Sequence, residues 1–127
     1  MDQDEFFKEL LSGCELAEMG VIRDLVEGPP GREPLPTDVM LHKWYQSLDF
    51  KGRENVQLLI RLAARSALFG FMEVLDGDTG YANERTGMYE LHFVNEELDV
   101  VLNGPANAPL HESFWHYFDP TGEVDPK

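Results

Sequence analysis

Asp76, Asp78 and Gly80 begin like a calcium-binding loop. Such a loop needs glycine at its sixth position and a bidentate glutamate at its twelfth. Counted from Asp76, those positions hold Tyr81 and Gly87. The run Asp76–Gly77–Asp78–Thr79–Gly80 reads instead as a helix stop. Asp119, Thr121, Glu123 and Asp125 could gather a hard cation, but their setting reads as a solvated tail. His111 and His116 flank an aromatic stripe at i and i+5. Two helical histidines reach one metal at i and i+4; one residue more turns the rings about 140° apart. No metal is therefore expected on this pair. Cys14 is followed by Glu15, whose charge disfavours a thiolate, and it lies on an apolar helix face. It reads as a core cysteine. No Gly-x-Ser-x-Gly elbow, phosphate-binding loop or dinucleotide fingerprint occurs. The expectation is a non-enzymatic protein with no catalytic residue, no metal and no cofactor. A competing reading, a small enzyme using Asp76, Asp78, His92 or His111, needs those residues to converge in a pocket.

The carboxylates suggest a different chemistry, that of recognition. Glu96, Glu97 and Asp99 fall at a hairpin tip and its adjoining strand, and Glu90 points to the same side. With Glu112 and the aromatic Trp115, these six are the expected partner-contacting residues. The plainer reading of the hairpin acids is a solvated face that discourages edge-to-edge pairing.

The balance of charge supports recognition of a basic partner. The chain has 127 residues, with 24 acids against 10 bases and a net charge of −14. Phosphate binding needs clustered Lys and Arg, so nucleic acid and anionic membranes are not expected partners. A basic protein approached by electrostatic steering is. The excess is uneven. Residues 1–52 sum to −6, residues 53–75 to +1, and residues 76–127 to −9. The single cysteine forbids an internal disulfide, and the N-terminus is acidic where a secretion signal would be basic. Both point to the cytoplasm.

The elements that must position these residues follow from periodicity. Residues 2–27 read as a helix, capped by Asp2 or Asp4, with Phe7, Leu10, Leu11, Cys14, Val21 and Leu25 inward. Gly13 and Gly20 call for either a break near Ser12 or a helix held by packing. Residues 28–37 form a Pro/Gly-rich connector with Leu35 tucked in. A short helix over 38–48 follows, with Val39, Leu41, Trp44, Tyr45 and Leu48 as its apolar positions. The segment 53–75 reads as a long central helix. Val56, Leu59, Ile60, Ala63 and Ala67 share its buried face, and Gln57, Arg61 and Arg65 lie opposite. A buried strand over 69–75 is the weaker alternative. Residues 88–95 and 98–103 alternate as a hairpin, with Tyr89, Leu91 and Phe93, then Leu98, Val100 and Leu102, on its inner face. Pro109 opens a last helix to Phe118, and residues 119–127 form a flexible acidic tail. The expected architecture is a single α+β domain. Three to four helices, a long central one among them, pack against a small antiparallel hairpin.

In size, charge and order of elements, and in the helix–hairpin–helix layout from Glu54 to Phe118, the chain resembles the small acidic immunity proteins that accompany bacterial toxins. That resemblance implies an inhibitor that binds one cognate toxin, often a nuclease, with carboxylates filling the cleft meant for phosphates. The alternative is a regulatory or scaffolding domain of a larger assembly or homodimer, marked by an exposed apolar patch near Trp44 and Tyr45.

Overall fold

The computed structural model describes residues 1–77 and 87–118. Among them lie four helices and one small sheet: α1 (Gln3–Glu27), α2 (Pro36–Ser47), α3 (Phe50–Asp76), β1 (His92–Val94), β2 (Asp99–Val101) and α4 (Leu110–Phe118). The strands are antiparallel, pairing His92 with Val101, Phe93 with Val100 and Val94 with Asp99. The α+β class is as expected. Residues 69–75 are helical, which removes the strand alternative. The acidic tail and Asp78 lie outside the described residues. No helix among the described residues is long and apolar enough to cross a membrane.

The chain groups into two compact units. The first comprises Met1–Ser12 and Arg65–Lys127, the second Gly13–Ala64. In the first unit, α1 opens with a reciprocal capping box. The Glu5 N–H donates to Asp2 Oδ1 (2.9 Å), and the Asp2 N–H donates to Glu5 Oε2 (3.1 Å). Two otherwise orphaned donors are satisfied at once. The core of this unit is aromatic. Leu110, Phe114 and Phe118, one turn apart on α4, are fully buried with Phe7. Phe114 stacks on Phe118 with centroids 4.4 Å apart, and Phe7 stacks on Tyr117 at 4.9 Å.

The second unit is tied together at its helix ends. An α-helix leaves its last four carbonyls without intrahelical partners. Here side chains of the next helix supply donors. On α2, His42 Nδ1 donates to the Leu25 carbonyl (2.7 Å) and Gln46 Nε2 to that of Val26 (2.9 Å), at the end of α1. Arg53 of α3 donates to the carbonyls of Tyr45 (3.3 Å) and Gln46 (2.8 Å), at the end of α2. Gly28 follows α1 at φ 95°, left-handed backbone that a residue with a Cβ rarely takes.

Several side chains face differently from expectation. Leu59 is 63% exposed, Ala63 and Ala67 are exposed, and Arg65 is only 8% exposed. The face assigned to the core on α3 is thus turned partly outward. The reason lies in the row Arg53–Gln57–Arg61–Arg65, spaced four apart. Arg53 is drawn inward by the α2 carbonyls and Gln57 by the Tyr45 hydroxyl (3.1 Å). Unpaired backbone carbonyls cost more than exposed leucines. In the second half of α3, Met72 is buried and Phe69 lies 5.8 Å from Phe114, while Phe71 and Val74 are exposed. Leu35, expected to be tucked in, is 67% exposed, and Val21 lies outside the buried face of α1. That helix runs unbroken through Gly13 and Gly20. α2 begins at Pro36, with no side-chain cap from Thr37 or Asp38. α3 begins at Phe50, where Asp49 Oδ1 accepts from the Gly52 N–H (2.7 Å).

Candidate functional site

The β1–β2 hairpin, in the first unit, brings four of the expected contact residues into one segment. Its tip is built by Asn95, whose Oδ1 accepts from the N–H groups of Glu97 (2.8 Å) and Leu98 (2.7 Å). This Asx-type turn holds Glu96 and Glu97 at the apex, both exposed. On the outer face, His92 lies between two carboxylates. Its Nδ1 is 2.6 Å from Asp99 Oδ1 and its Nε2 is 3.0 Å from Glu90 Oε1. The hydrogen bond with Asp99, then that with Glu90, holds the His92 pKa above its ordinary value. Both ring nitrogens have carboxylate acceptors, an arrangement that favours the imidazolium relative to the neutral ring.

The hairpin is fastened from behind by two amide side chains. Asn103 Oδ1 accepts from the Leu91 N–H (2.8 Å), and its Nδ2 reaches the carbonyls of Leu75 and Tyr89 (3.2 Å each). Gln3 Nε2 donates to the carbonyls of Leu102 (3.0 Å) and Ala108 (2.7 Å). Sequence reasoning passed over both residues. The only signal for Asn103 was its place where the apolar run Val100–Leu102 ends; Gln3, between Asp2 and Asp4, carried none.

The surface around the acids differs from expectation. Tyr89 and Leu98 are 53% and 45% exposed rather than turned inward, and Met88 and Val94 are exposed with them. The paired strands are short, His92–Val94 and Asp99–Val101, so residues beyond them do not follow the pleat. Leu102 alone of this segment is buried, at 2% exposure. The hairpin thus offers carboxylates interleaved with apolar side chains, the composition of a recognition surface. Residues 87–118 contain no Lys or Arg.

Glu112 and Trp115 sit on α4. Glu112 is exposed in its first turn. Trp115 is half-buried, with its ring 5.5 Å from Phe69 and 4.9 Å from Phe114. It contributes to the aromatic core as well as to the surface.

Of the residues weighed for enzymatic chemistry, Asp76 and His111 do meet. Asp76, 5% exposed at its side chain, accepts through Oδ2 from both the backbone N–H and Nδ1–H of His111, each at 2.7 Å. The carboxylate sits at the start of α4 and caps it from a distant part of the chain. His92 belongs to the hairpin cluster instead. Cys14 is buried, its Sγ 3.2 Å from Glu18 Oε2. No cluster of metal-ligating side chains occurs among the described residues.

No family model matches the chain, nor does any curated protein or solved structure.

Proposed function

We propose that this chain is a non-enzymatic protein-binding module that takes a basic protein partner on the outer face of its hairpin. One observation carries the reading. Glu90, Glu96, Glu97 and Asp99 are all exposed on one segment, interleaved with exposed Tyr89, Val94 and Leu98, and no Lys or Arg lies in residues 87–118. Carboxylates steer a basic partner and set its register, while the apolar side chains supply area removed from water. Glu112 and Trp115 extend the contact along α4. The partner class we favour is a toxin or effector nuclease, whose basic cleft the carboxylates would fill in place of phosphates. That makes the chain an immunity-type inhibitor working in the cytoplasm of a bacterium. In this reading α3 is the central support on which the hairpin is mounted. The Asp76–His111 pair supports a structural rather than catalytic role, because the carboxylate already holds a helix terminus.

The test is a binding titration against the protein encoded beside this one. A basic neighbour should bind, and Glu96→Gln with Glu97→Gln should weaken binding by at least ~10-fold with a shallower salt dependence. Asp24→Gln with Glu27→Gln, in the second unit, should leave it unchanged. A neighbour that is not basic, or hairpin variants that bind as the native chain does, would sink the reading.

A further inference from the structure

The small sheet of the first unit has two edges, and they differ. The Leu91 carbonyl accepts from the Leu102 N–H (2.7 Å), and the Asn95 N–H donates to the Leu98 carbonyl (2.9 Å). Backbone groups alternate in direction along a strand, so Leu91, Phe93 and Asn95 aim theirs at β2. His92 and Val94, between them, aim theirs away. Both residues are exposed, and β2 is the only strand beside β1 among the described residues. The far edge of β2 is partly covered, because the Val101 carbonyl accepts from Asn107 Nδ2 (3.2 Å). An open edge is usually blunted by lysine or proline. Met88–Asn95 contains neither.

Given a basic partner on this hairpin, as proposed above, we propose that it binds by adding an extended basic segment to β1 as a third strand. The N–H and C=O groups of His92 and Val94 supply the new ladder.

Charge selects the occupant. Glu90 lies just before β1 and Glu96 just after it, and both are exposed. Neighbours across paired strands stabilise when their charges are opposite and destabilise when they are alike. A second copy, at −14, would bring carboxylates against carboxylates. A segment with Lys or Arg near each end pairs with both. His92 already bridges Glu90 and Asp99, so the residues set beside His92 and Val94 are uncharged. The other face of β1 carries Leu91 and Phe93, both half-buried, and takes apolar side chains. The fitting segment is therefore about seven residues long, apolar at alternate positions and basic at its ends.

A capped heptapeptide, Lys-Val-Thr-Val-Thr-Val-Lys, meets these requirements. Calorimetric titration of the full chain with it, up to ~1 mM, should show saturable binding. A peptide of the same composition in blocks, Lys-Lys-Val-Val-Val-Thr-Thr, keeps the charge but lacks the alternation. It should bind at least ~10-fold more weakly. Val94→Pro deletes an N–H that faces away from β2, so the hairpin ladder stays whole while peptide affinity falls at least ~5-fold. In the native chain, the His92 and Val94 amides should exchange at least ~10-fold more slowly once the peptide is bound. Strand addition is overturned by any of four results: no saturation, equal binding of the two peptides, a Val94→Pro chain that binds as the native one does, or unaltered exchange at His92 and Val94. The carboxylate reading would outlive all four, because it stands or falls on Glu96→Gln with Glu97→Gln against the neighbouring protein.

Discussion

His92 is the residue whose state most affects the hairpin surface. Its neighbours Asp99 and Glu90 raise its pKa above the ordinary histidine value, so its contribution to stability follows from proton linkage. The stabilisation is fully present below the unfolded-state pKa, ~6.5. It is lost as pH rises through the higher folded-state value. A proton NMR titration should place the His92 midpoint above that of a denatured-state histidine, and Asp99→Asn should lower it. An unmoved midpoint would mean the Asp99 contact does not persist in solution. Asp76 makes the other decisive single-residue contribution. It is almost wholly buried, and both bonds it accepts are with His111. Asp76→Ala removes the cap of α4 and two hydrogen bonds to a buried carboxylate, so it should cost about 2 kcal/mol in a urea titration. Asp38→Ala, an exposed acid on α2 that caps nothing, should cost less than about 0.5 kcal/mol.

At the scale of elements, the helix ends matter more than the helix faces. The last carbonyls of α1 are bonded by α2 and those of α2 by α3. Arg53 also lies 5.5 Å over the Tyr45 ring. Arg53→Ala should therefore cost about 1.5–3 kcal/mol by denaturant unfolding, much more than a surface arginine would. Inside α1, Gly13 and Gly20 lie in unbroken helix, and an added Cβ would meet nothing within 4 Å at either. Each glycine-to-alanine change should stabilise by about 0.5–1 kcal/mol, with a matching rise in melting temperature. The two glycines weakened the helix reading on propensity alone. The structure shows an intact helix, because residues on both sides of them, Phe7, Cys14 and Leu25, are buried.

For the whole molecule, charge and exposed apolar surface are distributed differently between the two units. The first has 16 acids against 4 bases, the second 8 against 6. Yet the second holds twelve of the eighteen large apolar side chains exposed among the described residues, Trp44 and Phe50 included. A chain at −14 repels itself when compact, and screening relieves this. The melting temperature should accordingly rise when sodium chloride is raised from ~0.01 M to ~0.5 M. A flat or falling response would mean the carboxylates are already neutralised by internal pairs.

The sequence by itself determined the helices, the hairpin turn and the anionic character of the carboxyl half. These depend on local periodicity, on Pro, Gly and Asn at the turns, and on a count of charges. It also placed Leu110 and Phe114 on the inward side of α4 with Tyr117 or Phe118 beside them, and the structure buries Phe118. Tertiary structure alone decided which way α3 faces. The α2 carbonyls and the Tyr45 hydroxyl need donors, and the row carrying Arg53 and Gln57 turns inward to supply them. Strand alternation put Glu90 on the same side as Asp99, but only the fold set His92 in hydrogen-bond reach of both, and only the fold brought Asp76 to His111. Contacts across 7 and 35 residues depend on register and packing, which no local pattern encodes.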